Sequence, residues 1–119
     1  MGALRRWLDR LTESDEARLG DEIRTWADSV DGSVRIDVAP NRERVKIAGI
    51  IRRLTVFPMR DNEGLEALVS DGTGEIVVRF MGRRGIEGLG LGTRVVVEGA
   101  IAEQRGERRM LNPLLEFSA

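Results

Sequence analysis

Hydrophobic positions along the chain recur with two different periods, and the change between them falls near residue 33. Leu4, Trp7, Leu8 and Leu11 lie at helical spacing, and so do Leu19, Ile23, Trp26 and Val30. The pattern predicts a helical segment over residues 1–33 in two pieces. Thr12 or Ser14 would cap the second piece, with Asp15 and Glu16 in its first turn. Gly20 interrupts that helix at a cost of about 1 kcal/mol relative to alanine. A tryptophan in such a stripe is more often core than a base-stacking platform, so Trp7 and Trp26 are expected to pack.

From residue 34 the period is two. Val34, Ile36 and Val38 suggest a short strand stopped by Pro40. Val45, Ile47, Gly49 and Ile51 alternate with Lys46, Ala48, Ile50 and Arg52, which predicts a long strand bent at Gly49. Residues 65–70 and 75–81 make a hairpin around Asp71, Gly72, Thr73 and Gly74. A glycine-rich connection, GRRGIEGLGLGT, leads to a fourth strand, RVVVEGAIA. The fifth, RRMLNPLLEF, follows a turn at Glu103 to Glu107, with Pro113 confining its end to an edge or bulge. Five strands in under 90 residues, the first one bent, predict a closed barrel of the OB-fold kind over residues 34–119. The class is mainly β with an N-terminal helical appendage, and any helix in the glycine-rich connection should last a turn or two at most.

Composition narrows the chemistry. The chain has no cysteine and no histidine, which excludes disulfides, thiolate zinc sites and every triad built on imidazole. No metal or other cofactor is called for. Net charge is −1, but it is unevenly spread. Residues 1–33 carry 5 Arg against 8 Asp and Glu, a net of 5 − 8 = −3; residues 34–119 carry 14 Lys and Arg against 12, a net of +2. Every basic residue except Lys46 is an arginine, which fits a GC-rich genome and also suits phosphate contacts. No apolar run reaches the roughly 20 residues of a membrane span, and MGALRRW lacks the apolar stretch of a signal peptide. The expected location is the cytoplasm, away from membranes.

The runs "RVKIAGII", "LEALVSDGTGEIVVRFMG" and "LGTRVVVEGAIAEQRGERRMLNPLLEF" resemble the OB-fold nucleic-acid-binding family. The nearest likeness is to the wedge domain of bacterial helicases that remodel branched DNA, and the helical prefix is similar to small stand-alone actinobacterial OB-fold proteins. A similar Asp-Gly-Thr-Gly turn occurs in OB domains of replicative polymerases and of tRNA synthetases. Such wedge domains tend to end the third strand in two bulky aromatics, where this chain has Phe80 and Met81. Period two points Ile76, Val78 and Phe80 inward and Val77, Arg79 and Met81 outward. Met81 then stands where a stacking ring would, with Arg83 and Arg84 extending the surface into the loop.

The fold and the resemblance together nominate a contact surface. Lys46 and Arg52 share the outer face of the first strand. Arg53, Phe57 and Arg60 lie in or near the loop after it, and Arg105, Arg108 and Arg109 lie around the last hairpin. Cations along a track with flat or soft surfaces between them suit a nucleic acid. Leu68, Val77 and Ile50 lie on the same face and need covering, by the helices or by another protein.

Two readings follow. One is a non-enzymatic module binding single-stranded or branched DNA, with RNA a sub-case. The other is a protein-interaction module that binds a protein partner, or a second copy of itself as a homodimer, through the amphipathic helices and the aliphatic outer face. Catalysis has little support. "GLGLGT" lacks dinucleotide-loop spacing, "DGTG" is a turn, and Glu63 and Glu66 read as solvated carboxylates. There is no G-x-x-x-x-G-K-[ST] loop of a motor either.

Overall fold

The computed structural model describes residues 2–58 and 63–118, though not the side chains of 4–14. The expected packing of Trp7 and the loop position of Arg60 lie outside the described residues.

One continuous helix, α1 (Gly2–Ser29), takes the place of the two expected. The stretch from Thr12 to Arg18 contains neither proline nor glycine, so nothing stops the helix where Thr12 or Ser14 would have capped a second one. Its barrel-facing side begins at Ile23, which is buried, whereas Asp15 to Leu19 are exposed. Ala27 packs on Ala48 and Val96, with Trp26 and Val30 half-buried around them. The Trp26 Nε1–H donates to the Ser118 hydroxyl at 3.2 Å.

The segment Val34 to Val38 is not the strand that its alternation suggested. Ile36–Val38 form a 3-10 turn. Ile36 plugs the end of the barrel core, and its N–H donates to the Asp71 carboxylate at 2.8 Å instead of to a neighbouring strand. A single parallel bridge from Ser33 to Lys46 is the only sheet pairing left there.

Six strands follow: β1 (Arg44–Pro58), β2 (Glu63–Ser70), β3 (Glu75–Met81), β4 (Arg94–Gln104), β5 (Glu107–Leu111) and β6 (Leu114–Phe117). They pair in the order β1-β2-β3-β5-β4, and β1 pairs again with β4, closing a ring of five. Only β3 and β5 run parallel. This is the five-stranded OB-fold barrel. β1 serves both sides of the closure: residues 44–50 pair with β4, and from Ile50 onward the strand pairs with β2. Gly49 sits at that changeover, where an added Cβ would lie 2.6 Å from the Ser70 carbonyl oxygen. The expected bend is therefore required by a close backbone approach. The register slips between Ile51 and Arg53, so Arg52 is a bulge residue.

Alternation holds through the core. Ile47, Ile51, Val69, Ile76, Val78, Val95, Val97, Ile101 and Met110 all point inward and are fully buried or nearly so. The turn before β5 is Arg105-Gly106, both at positive φ, as a tight two-residue hairpin demands. The expected fifth strand breaks at Asn112, which takes φ 46°, and at Pro113, which has no N–H to give. The chain then turns back, and β6 pairs with β4. Residues 82–93 form turns with no helix.

Asp71 ties these parts together. Its side chain is buried, and Oδ1 accepts from the Thr73 hydroxyl at 2.6 Å and from the backbone N–H groups of Thr73 and Gly74. Oδ2 accepts from the Ile36 N–H and lies 2.9 Å from Nη1 of Arg24, which also donates to the Asp71 carbonyl. Arg24 is on α1, where Asp28 holds its other edge at 2.6 Å. Burial by itself pushes the Asp71 carboxyl up, but the bonds from Thr73, Ile36 and Arg24 outweigh it and hold the group below the usual carboxylate range.

Two stability outcomes follow from this packing. Asp71→Asn should cost about 2–3 kcal/mol in chemical denaturation, the worth of charge-assisted bonds lost in a buried site. Because the folded-state pKa is depressed, Asp71 contributes stability above the unfolded value near pH 4, and that contribution drains away as pH falls through the lower folded value. The variant should therefore show a flatter loss of stability below pH 4 than the parent. Gly20→Ala should stabilise by about 0.5–1 kcal/mol in the same assay, since nothing lies within 4 Å of the added Cβ and the helix gains propensity.

Candidate nucleic-acid interface

The outer face of β1, β2, β3 and β5 carries side chains in rows fixed by register. One row runs Arg53, Leu68, Val77, Arg109; the next runs Thr55, Glu66, Arg79, Leu111; the third runs Phe57, Gly64, Met81. From Arg53 to Phe57 the face is roughly 13 Å long at the usual rise of a strand.

At one end of this face an open cleft of about 630 Å³ is lined by Arg53, Leu68, Val77, Arg105 and Arg108, with Asp37, Glu75 and Glu107 at its edges. Arg53 and Arg105 are exposed and have no ion pair among the described residues. Val77 is buried between its strand neighbours, and Leu68 is half-buried. Beside the cleft, a recess of about 390 Å³ lies between Arg79 and Arg109, floored by Ala100, Ala102 and Met110.

At the other end of the face, Phe57 lies flat on Gly64. A Cβ at Gly64 would come 2.1 Å from the ring, so the glycine is the seat that lets the ring settle on the backbone. Above the ring sits the Arg79 guanidinium, 4.8 Å from the centroid. Its Nε donates to the Glu66 carboxylate at 2.9 Å. This ring, the only one on the face among the described residues, is thus held between backbone and cation. Beyond it, Met81 is 37% exposed and its N–H donates to the Asn112 side chain at 2.8 Å.

The sequence-predicted residues divide into three groups. Arg53, Phe57, Arg79, Met81, Arg105 and Arg109 share the outer face or its rim. Arg53 and Phe57 are in β1 itself, since the strand runs on to Pro58 and the loop expected to hold them starts later. Arg83 and Arg84 follow β3; Arg84 pairs with Glu63 at 3.2 Å, and Arg83 edges an apolar recess with Phe80, Ile86 and Phe117. Lys46 and Arg52 lie off this face, and Arg108 lines the cleft with its guanidinium already committed elsewhere. The first half of β1 pairs with β4, so its outer face turns towards α1: Lys46 donates to the Asp31 carbonyl, and Arg52 borders a groove with Leu19 and Ile23. Ile50, which needed covering, is buried there. Arg108 donates to the Ile36 carbonyl at 2.5 Å, to the Ala39 carbonyl and to Asn41 Oδ1, so it pins the segment before β1 to the last hairpin.

Glu63 and Glu66, expected as solvated carboxylates, and Glu107, expected only as the end of a turn, have a further role. All three pair with arginines of this surface, the last with Arg109 at 2.7 Å. The signal existed: a hairpin that pairs Ser70 with Glu75 must also place Glu66 opposite Arg79.

The chain matches no protein family and no curated protein. Among solved structures it is similar to a replication protein A heterotrimer bound to single-stranded DNA, at 18% identity and a TM-score of 0.53, over 76% of this chain and 68% of that one. At that identity the likeness is one of fold.

The Phe57 seat gives a direct check on the face. Gly64→Ala should displace the ring and cost about 1–3 kcal/mol in thermal or chemical denaturation. Gly85→Ala, with nothing within 4 Å of the new Cβ, should leave stability within about 0.5 kcal/mol.

Proposed function

We propose that the protein is a non-enzymatic nucleic-acid-binding module of the cytoplasm, taking single-stranded or branched DNA on the outer face of β1, β2 and β3. One observation carries this reading: Arg53 and Arg105, exposed and without ion pairs among the described residues, flank a cleft whose floor is Leu68 and Val77. A phosphate at each arginine and a base on the aliphatic floor satisfy the two requirements of a single strand, cations along its track and apolar surface under its bases. Arg79, Met81 and Arg83 continue the track. The likeness in fold to a protein bound to single-stranded DNA supports the same reading, as does the wedge-like end of β3. RNA would meet the same surface.

The interaction-module alternative loses part of its motive, because Ile50 is buried beside α1. What favours it is a separate set of exposed apolar residues, Leu111, Leu114 and Phe117, near the chain end.

Fluorescence anisotropy of labelled single-stranded, forked, duplex and RNA oligonucleotides at two salt concentrations tests the proposal. Single-stranded or forked DNA should bind in the micromolar range or tighter and weaken with salt. Arg53→Ala and Arg105→Ala should each flatten the salt slope by about 0.7, the value for one phosphate contact on a single strand. Lys46→Ala, on the helix side, should leave it unchanged. Met81→Phe should tighten binding by supplying a ring. Absence of binding at low salt would contradict the proposal.

A further inference from the structure

Three arginines on or beside the binding face already hold a carboxylate. Glu66 occupies Arg79, Glu107 occupies Arg109, and Glu63 occupies Arg84, at 2.9, 2.7 and 3.2 Å. A carboxylate oxygen at such a distance sits where a phosphate oxygen would sit, because both anions take the same guanidinium donors. Arg79 is the consequential one. Its ion pair is less screened than the others because Glu66 is 20% exposed, against 45% for Glu107 and 47% for Glu63, and it covers the face of Phe57.

We infer that Glu66 is an internal competitor for the ligand: it holds Arg79 over Phe57 in the free protein and gives it up to a phosphate on binding, which uncovers the ring for a base. The inference rests on the nucleic-acid reading and adds a residue that this reading does not need. Glu66 takes only the Nε–H of Arg79, but that bond fixes the guanidinium over the ring, so a base can reach Phe57 only if the bond is released. Phe57 cannot stack on a base through its lower face, which lies on Gly64. The upper face is available only once the guanidinium moves aside. Neutralising Glu66 frees Arg79 without touching the ring or its seat. Glu107 does the same for Arg109, at a more exposed position and with no ring beneath it.

The test compares Glu66→Gln with Glu75→Gln in binding a labelled dT12 oligonucleotide across a salt series. Glu75 borders the same cleft and has no ion pair among the described residues, so its substitution removes the same charge without releasing an arginine. Glu66→Gln should bind about two- to five-fold more tightly than the parent and exceed Glu75→Gln, the change that a surface ion pair is worth. Its salt slope should stay parental, because Arg79 reaches a phosphate in the parental complex as well, and Glu75→Gln should also keep the parental slope. Glu107→Gln, on an exposed side chain, repeats the experiment at Arg109 should Glu66→Gln disturb the fold. An NMR signal of the Arg79 Nε–H should shift alike on Glu66→Gln substitution and on adding dT12 to the parent. If the parent binds and Glu66→Gln matches Glu75→Gln in affinity, or binds with a steeper salt slope than the parent, the competitor role is overturned while the binding reading stands. If neither the parent nor any variant binds, both fall together.

Discussion

A single buried carboxylate joins the parts of this molecule that the barrel alone would leave apart. Asp71 sits at the tip of the β2–β3 hairpin and accepts bonds from its own turn, from Ile36 and from Arg24 on α1. A charge in that position is tolerable only when fully satisfied, and here it is. With Ile36 held, the barrel end is plugged; with Arg24 held, α1 lies along β1 and β4 and covers their outer side. That choice of side matters for function. It leaves the outer face of β2, β3 and the second half of β1 open, and it removes Lys46 and Arg52 from that face.

Much of this was readable from residue pattern. The strict alternation of Val69, Ile76, Val78 and Phe80 fixed which side of the hairpin is core. Gly49 marked the changeover of β1 from one partner to the other because only a glycine fits against Ser70. The unread parts have physical causes. Val34, Ile36 and Val38 alternate like a strand, but a hydrogen bond to Asp71 captures the Ile36 N–H and curls the segment. The length of β1 was underread because Arg52 and Arg53 interrupt its apolar pattern, one of them as a bulge. Arg108 looks like any hairpin arginine in sequence, whereas its role at the Ile36 and Ala39 carbonyls arises from contacts about 70 residues away.

The candidate surface was legible as a set of arginines and opaque as a balance of charges. Register places a glutamate opposite Arg79, and Glu63 and Glu107 likewise pair with arginines of this surface. Such a surface attracts phosphates weakly at long range, because paired charges largely cancel beyond a Debye length. Its affinity has to come from close contact: free arginines at the cleft, an aliphatic floor and one ring under a movable cation. This is a surface suited to a flexible strand that can settle into it, more than to a stiff duplex held by charge alone.

The most direct measurement is an amide chemical-shift titration of the labelled protein with dT12 at low salt. The account predicts shifts confined to the outer face around Arg53, Leu68, Val77, Arg79 and Arg105, with Lys46, Arg52 and the α1 side of the barrel unmoved. Shifts centred on Arg52, Arg94 and α1, or none at all, would contradict it.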